Sequence, residues 1–344
     1  EQERNNYLLS IGSRIKWDKE RLNKIIHTLS QSDTFVTDDI VVRFRGGRQE
    51  QSFNDYICQQ IARLKRLGKI RTSETYMAAL RSFSGFMNDK AVLFDQLNAD
   101  LIAEYEAYLK GRGNSPNTVS FYMRILKAVY NRAVEDELTE QRYPFKYVYT
   151  GVEKTLKRAL SLNAIRRIKG LDLSLKPNLD YARDMFLFCF YTRGMSFIDM
   201  AYLRKKDLQN GILSYRRRKT GQQLFIKWEK CMQDILDKYP VNETEYLLPI
   251  ITERNEDYRK QYANALHRVN HLLKKIGKLL DLPIPLTMYV GRHSWASIAK
   301  SRNVPISVIS EGMGHDSEST TQIYLASLDT TVVDKANKKI LDLL

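Results

Sequence analysis

The sequence has few of the residues that build metal centres, disulfide frameworks or membrane spans. Its three cysteines, Cys58, Cys189 and Cys231, lie far apart and match no metal-ligand spacing. The longest uninterrupted apolar run, Met185 to Tyr191, is far too short to span a bilayer. The scarcity of cysteine favours a reducing cytoplasm. We expect no cofactor, because no metal-ligand pattern is present, and no membrane partner, because no apolar run could span a bilayer.

The start of the chain resembles neither a signal peptide nor a natural beginning. The sequence opens on Glu1 without an initiator Met, so we expect that an upstream segment was removed. Residues 1–50 hold too little structure for a domain and are predicted to be a linker segment. Within them we predict a helix over Lys16–Leu29, a turn around Ser32-Asp33 and a β-rich stretch over Ile40–Phe44.

Basic residues outnumber acidic ones in the chain as a whole. The sequence has 55 Lys and Arg against 40 Asp and Glu, which gives a formal charge of +15. Such an excess predicts a polyanionic partner, and nucleic acid is the commonest one. Many basic proteins bind no DNA, so charge alone leaves the partner open. Part of the excess is local, because residues 204–230 contain nine Lys or Arg and only two acids.

Residues 51–140 have the spacing of a helical domain throughout. Apolar side chains recur every three or four residues from Phe53 to Leu64, as on one face of an amphipathic helix. Three further helices are predicted, with N-terminal caps at Thr72-Ser73, near Asn98 and at Asn117-Thr118. Four helices in this length make a compact all-α domain. Its polar faces are basic, and the candidate DNA phosphate contacts are Arg71, Arg124 and Lys127.

The rest of the chain divides into an irregular linker, residues 141–155, and a larger domain, residues 156–344. Helical patterns dominate this domain, but Ile212–Tyr215 and Leu224–Trp228 are predicted to form the two strands of a β-hairpin. The turn between them is basic and could enter a DNA groove or lie across its backbone. Its candidate DNA contacts are Arg216, Arg217, Arg218 and Lys219.

Four motifs follow one another in the larger domain. Tyr191–Leu203 comes first, then Lys219 in the hairpin turn, then Arg292 followed by a histidine and small residues, and finally Tyr324 nine residues after His315. Together they resemble the tyrosine recombinase family, the integrases related to that of phage lambda. The upstream helical domain resembles the family's SAM-like core-binding domain. The resemblance implies a mainly α fold, in which that domain precedes a mixed α/β catalytic domain of the DNA breaking-rejoining type.

The resemblance implies a site-specific recombinase that needs neither metal nor ATP. Tyr324 would attack the phosphodiester, forming a 3′-phosphotyrosine and releasing a 5′-hydroxyl. Arg292 would hold the phosphate through charge-assisted hydrogen bonds. His315 would donate a further hydrogen bond to the phosphate or help to deprotonate Tyr324, and Lys219 would protonate the leaving oxygen. Asp199 would orient these groups or cap a helix locally.

Two positions depart from the family pattern. Ser196 stands where the family has its first arginine, and Tyr289 where it has a histidine. The sequence around Ser196 resembles that of integrases and invertases of Bacteroides-type mobile elements, in which this serine is usual. We therefore expect another arginine to supply the missing charge. Arg193 would share a helical face with Ser196 if that stretch is helical. Arg217, two residues before Lys219, is the other candidate, and the alternative is that both contact flanking DNA phosphates.

The expected partners are double-stranded DNA at a recombination site and further copies of the chain. Residues 329–344 have the pattern of an amphipathic helix, and in the family such tails link a tetramer on DNA. The resemblance also implies a bacterial host, a possible DNA-bending accessory protein and an arm-binding region upstream of residue 1. Alternatives are a DNA invertase with the same chemistry, a non-catalytic DNA-binding protein and a type IB topoisomerase. The separate all-α domain favours a recombinase over the topoisomerase.

Overall fold

Two hydrophobic cores divide the chain into two units, residues 1–155 and 156–344. The computed structural model describes residues 2–30, 36–46, 52–153, 159–325 and 341. The helices described in the first unit are α1 (Gln2–Ser30), α2 (Thr37–Gly46), α3 (Phe53–Arg66), α4 (Ile70–Phe86), α5 (Ala99–Gly111) and α6 (Pro116–Glu135). Helix α1 extends the predicted helix in both directions, whereas the predicted turn around Ser32-Asp33 lies outside the described residues.

The predicted β-rich stretch over Ile40–Phe44 is wrong, because these residues lie in α2. The carboxylate of Asp39 accepts the N–H of Val36 at 3.0 Å, and acidic side chains in the first turn stabilise a helix N-terminus. The Arg21 guanidinium of α1 lies 5.6 Å from the Phe44 ring centroid, so α2 packs on α1. This packing and the acidic first turn outweigh the β propensity of the branched residues.

The caps of the four helices around the first core were predicted in part. Asn98 caps α5 as predicted, since its side-chain oxygen accepts the N–H of Leu101 at 2.9 Å. The caps predicted at Thr72-Ser73 and Asn117-Thr118 are wrong, because α4 and α6 each begin two or more residues earlier. Ser115 caps α6, and the following proline has the fixed φ that suits the first helical position.

Residues 139–153, predicted mainly as linker, pack on the first unit. Phe145 and Val148 are buried in its core, and the Tyr130 hydroxyl donates to the carbonyl of Glu140 at 2.7 Å. The irregular backbone therefore covers the first helical core up to residue 153.

The second unit is mainly helical around one small sheet, which confirms the predicted fold class. Its described elements are α7 (Leu162–Lys169), α8 (Pro177–Tyr191), α9 (Phe197–Ala201), β1 (Leu208–Gln209), β2 (Ile212–Arg216), β3 (Gln223–Lys227), α10 (Lys230–Asp237), α11 (Tyr258–Leu279), α12 (Met288–Ser301), α13 (Ile306–Met313) and α14 (Glu318–Leu325).

Helix α8 lies at the centre of the second unit, where α7, α10, α11 and α12 pack around it. The sheet is antiparallel in the order β1-β2-β3, and Tyr215 pairs with Leu224, so the predicted hairpin is confirmed. The turn of this hairpin projects toward α9 and toward the loop that follows α13. Within the described part of the chain, no helix is long and apolar enough to cross a membrane.

Candidate active site

A cleft of about 530 Å³ in the second unit brings six of the predicted site residues together. Residues of α9, α11 and α12 form its apolar wall, and the hairpin turn and the α13–α14 loop form its polar wall. The predicted residues that line it are Ser196, Arg217, Lys219, Tyr289, Arg292 and His315. They come from segments up to 119 positions apart in the sequence, so only the tertiary fold assembles them.

Arg292 is buried on α12, with a relative exposure of 6%. Its Nη1 donates to the carbonyl of Gly194 at 2.6 Å, and its Nη2 donates to the carbonyl of Met313 at 2.8 Å. Gly194 has φ +75°, and a Cβ at that position would lie 2.9 Å from the Arg292 Cα. A glycine is therefore needed there, because any side chain would displace the arginine.

The hydrogen bonds of His315 define which ring nitrogen carries the proton. Its Nε2 lies 2.9 Å from Nη2 of Arg292, and a guanidinium can only donate, so Nε2 accepts. The proton of the neutral ring is then on Nδ1, which donates to Oγ1 of Thr321 at 2.7 Å. Burial, together with the charges of Arg292, Arg217 and Lys219, lowers the pKa of His315 to about 4. The imidazole is therefore neutral at pH 7 in the free protein.

This buried imidazole should make the stability of the protein depend on pH. The pKa of His315 is about 4 in the fold against an ordinary value of 6.5, so the unfolded chain binds more protons between these values. The resulting stabilisation is complete above about pH 6.5 and is lost as the pH falls to about 4. Urea unfolding at pH 7 and pH 4.5 should show a loss about 2–3 kcal/mol greater in the wild type than in His315→Gln. Equal losses would contradict a neutral, buried His315.

Arg217 is buried although it lies in a hairpin turn, with a relative exposure of 6%. Its Nη1 donates to the carbonyl of Gly314, which also accepts from the Thr220 hydroxyl at 3.3 Å. Burial and the nearby charge of Arg292 lower the pKa of the Arg217 guanidinium. Its Nε is buried and has no hydrogen-bond partner among the described residues. An anion entering the cleft would relieve both costs.

Ser196 caps α9 instead of providing a cation. Its hydroxyl donates to a carboxylate oxygen of Asp199 at 2.6 Å, and the other oxygen of Asp199 accepts the N–H of Arg218 at 2.9 Å. The buried carboxylate therefore joins the start of α9 to the hairpin turn. The cap of α9 is Ser196, and Asp199 binds both this cap and the hairpin turn.

Arg193 does not line the cleft. The premise that placed it on one helical face with Ser196 is wrong, because α8 ends at Tyr191 and Arg193 has φ +60°. Its side chain lies beside Gly312 instead, where a Cβ would approach the Arg193 Cδ to 3.6 Å.

The remaining predicted residues are more exposed. Lys219 is exposed at the edge of the cleft, and Tyr289 is 48% exposed with its ring 4.3 Å from that of His293. Arg218 lies over the Tyr202 ring at 4.0 Å. The other candidate DNA contacts are also exposed: Arg216 in the hairpin, Arg71 on α4, and Arg124 and Lys127 on α6.

Helix α14 carries Tyr324 in its last turn. The helix is attached to the rest of the unit by Leu325, which is buried in a cluster with Ala296, Ile309 and Met313. The ammonium of Lys300 on α12 donates to the carbonyl of Leu325 at 2.8 Å. The predicted amphipathic tail over residues 329–344 lies outside the described residues, apart from an exposed Leu341.

Sequence reasoning missed one buried residue of the site, Thr321. Its side chain is fully buried and accepts from His315. The available signal was its position between His315 and Tyr324, where a polar β-branched residue occupies an inward position of a short helix.

Two protein-family models match this chain, one in each unit. Residues 52–148 match a model of the phage integrase SAM-like domain, and residues 166–331 match a model of the phage integrase family. A curated relative, tyrosine recombinase XerA of Thermococcus kodakarensis, is 27% identical over 233 residues. That alignment covers 66% of this chain and 77% of the relative.

Two solved structures share the fold. A lambda integrase dimer bound to a COC′ core site has a TM-score of 0.63 at 13% identity, covering 89% of this chain and 85% of that chain. The Tn1549 transposon integrase in complex with a circular intermediate DNA has a TM-score of 0.60 at 16% identity, covering 84% and 99%. Because the two family models together match about three quarters of the chain, it belongs to the phage integrase family of tyrosine recombinases, which are site-specific DNA recombinases.

Proposed function

We propose that this recombinase breaks and rejoins DNA at the cleft of the second unit, with Tyr324 as the nucleophile. The observation that carries the proposal is the convergence of two buried guanidinium groups, those of Arg217 and Arg292, on one cleft. Their hydrogen-bond partners are carbonyl oxygens and an imidazole, so their charge is available to an entering phosphodiester. Arginine suits this role because it stays charged and presents paired donors.

The cleavage step uses four residues in three roles. The Tyr324 oxygen attacks phosphorus in line, and the bond from phosphorus to the 5′-oxygen breaks. Arg292 and Arg217 stabilise the charge on the non-bridging oxygens. Lys219, exposed at the cleft edge, protonates the leaving 5′-oxygen. The phosphotyrosine conserves the energy of the broken bond, so rejoining is the reverse step.

His315 is a weak base in the free protein, because burial and the neighbouring cations lower its pKa to about 4. The sequence left two roles open, a donor to the phosphate and a base for Tyr324. The ring can take the Tyr324 proton on Nε2 only when an entering phosphate draws the Arg292 donor away from Nε2 and offsets the cations that lower the pKa of His315, and we assign it this second role in the DNA-bound state. Tyr289 cannot supply the charge of a histidine cation, and its exposed hydroxyl is suited to orienting the phosphate by one hydrogen bond.

Arg217 is the residue that replaces the arginine missing at Ser196. It is buried in the cleft, it lies near enough to Arg292 for the two charges to interact, and one of its nitrogens lacks a partner among the described residues. Arg193 does not line this cleft and is not among the charges that lower the pKa of Arg217. The serine keeps a structural role through Asp199, which holds the turn that carries Arg217 and Lys219.

The biological setting is an integrase of a Bacteroides-type mobile element in a bacterial cytoplasm. The sequence around Ser196 favours this setting, and the Tn1549 transposon integrase has a similar fold. A DNA invertase is the alternative with the same chemistry. Comparing recombination of a circularised mobile element with recombination of an inversion substrate distinguishes the two functions.

The assembly that acts is a tetramer on DNA, because exchange between two duplexes needs four active sites. The lambda integrase structure, a dimer on its core site, is consistent with assembly on DNA. Residues 329–344 would link neighbouring copies, a DNA-bending protein would assist, and residues 1–50 would lead to an arm-binding region. Residues 51–140 and 156–344 would each contact the duplex, with Arg71, Arg124, Lys127 and the basic residues of the hairpin on its phosphates.

A nicked recombination-site duplex tests the proposal. The nick lets the short 5′-hydroxyl fragment diffuse away, so the covalent intermediate accumulates. We expect a protein–DNA adduct that survives denaturant with the wild type and is absent with Tyr324→Phe, while noncovalent DNA affinity is unchanged. Absence of any adduct, with DNA binding retained, would favour the non-catalytic DNA-binding protein. An adduct that persists in Tyr324→Phe would reject Tyr324.

A further inference from the structure

Thr321 is the first member of a continuous hydrogen-bonded series that runs through His315 to Arg292. Its hydroxyl oxygen accepts from Nδ1 of His315 at 2.7 Å, and Nε2 of His315 accepts from Arg292 at 2.9 Å. All three side chains are buried, with Thr321 at 0% exposure. Inside a protein such bonds are stronger than in water, and an unmatched polar group is costly.

The direction of every bond in this series is fixed by chemistry. Arg292 can only donate, so it forces Nε2 to accept, and the ring proton must be on Nδ1. That proton needs an acceptor in a buried place, and Thr321 provides it. Without the hydroxyl, the Nδ1–H group would be left unmatched, and the ring could meet its needs only by turning away from Arg292.

The position of Thr321 on α14 connects the hydrogen-bonded series to the helix that carries Tyr324. Tyr324 follows three residues later on the same helix, about 4.5 Å further along its axis. The hydroxyl reaches His315 only when α14 is seated against the cleft. The orientation of Arg292 therefore depends on the seating of the helix that carries the nucleophile.

We propose that Thr321 is a positioning residue that fixes the tautomer of His315 and couples the seating of α14 to the orientation of Arg292. It touches neither the phosphate nor the reacting oxygens, and it acts through His315. The inference rests on the proposed function for its effect on cleavage, whereas its effect on the imidazole stands on the geometry alone.

The test compares Thr321→Val, which keeps the shape and removes the acceptor, with Thr321→Ser, which keeps the acceptor. Gln322→Val is the matched control, because Gln322 is exposed on the same helix and the same residue is introduced. Single-turnover cleavage of the nicked duplex should be slower in Thr321→Val by on the order of tenfold to a hundredfold. Thr321→Ser and Gln322→Val should stay within about threefold of the wild type, and DNA affinity should be equal in all four proteins.

A second readout reports the imidazole directly. In ¹⁵N-histidine-labelled free protein, His315 should show a protonated Nδ1 and an unprotonated Nε2 at pH 7, assigned by their loss in His315→Gln. Thr321→Val should shift both resonances toward tautomer averaging, and Thr321→Ser should restore them. In a His315→Gln background, Thr321→Val should cost no further cleavage rate, since paired residues are non-additive.

The two ways of failing are separable. If Thr321→Val leaves the His315 resonances of the folded protein as in the wild type, the positioning role is wrong whatever the cleavage rate. If the resonances shift while cleavage is unchanged, the coupling to Arg292 is wrong. Failure of the wild type to form an adduct would instead reject the proposed function, and the resonances would still decide the tautomer claim.

Discussion

Replacing Arg217 by alanine is expected to slow single-turnover DNA cleavage by on the order of 10²–10³, the cost of deleting one preorganised donor to a developing oxyanion. The guanidinium is buried in the cleft, and its Nε has no hydrogen-bond partner in the part of the chain that the structure describes, so its donors are available to the phosphate. Arg217→Lys should recover only part of the rate, because lysine keeps the charge and loses the paired donors. The rate of adduct formation on the nicked duplex measures both.

Arg193→Ala is the matched comparison, because both arginines were candidates for the missing charge. Its side chain lies beside Gly312 and outside the cleft, so the variant should cleave at close to the wild-type rate. Thermal melting of each variant separates a lost catalytic group from a lost fold. The assignment is wrong if Arg193→Ala loses the rate and Arg217→Ala keeps it.

Arg292→Lys should lower the cleavage rate by on the order of 10³ despite conserving the charge. Arg292 uses two nitrogens to reach two carbonyl groups and the imidazole, and those bonds aim it into the cleft. A lysine has one nitrogen and cannot bridge the same acceptors while also binding phosphate. The loss should appear in the rate of adduct formation, with site affinity changed much less.

Arg302→Lys is the control for this change, because Arg302 is exposed just after the same helix. It should leave both the rate and the melting temperature as in the wild type. A cleavage rate in Arg292→Lys within about threefold of the wild type would mean that charge alone suffices there and that the paired-donor argument fails.

Local signals in the sequence predicted the elements that depend on local interactions. The hairpin was predicted because two strand-forming segments flank a basic turn, and Asn98 was predicted because a side-chain cap acts within one turn. The prediction of β structure over Ile40–Phe44 was wrong. Branched side chains favour a strand locally, but an acidic first turn and packing on α1 stabilise a helix there.

The cleft could be predicted only as a set of residue types in a familiar order. The burial of Arg217 depends on the carbonyl of Gly314, 97 positions away, so no local pattern could distinguish it from its exposed neighbours. Arg193 was a candidate on the condition that its stretch is helical, but α8 ends two residues before it. Thr321 was visible only as a residue between His315 and Tyr324, because its hydrogen-bond partner, His315, lies in the loop before α14.

The covalent intermediate itself tests the central claim most directly. The adduct formed on the nicked duplex is digested with protease and nuclease, and the nucleotide-bearing peptide is sequenced by mass spectrometry. The account predicts a nucleotide attached through its 3′-phosphate to Tyr324. Attachment to another hydroxyl at the cleft, such as Ser196 or Tyr289, would contradict it.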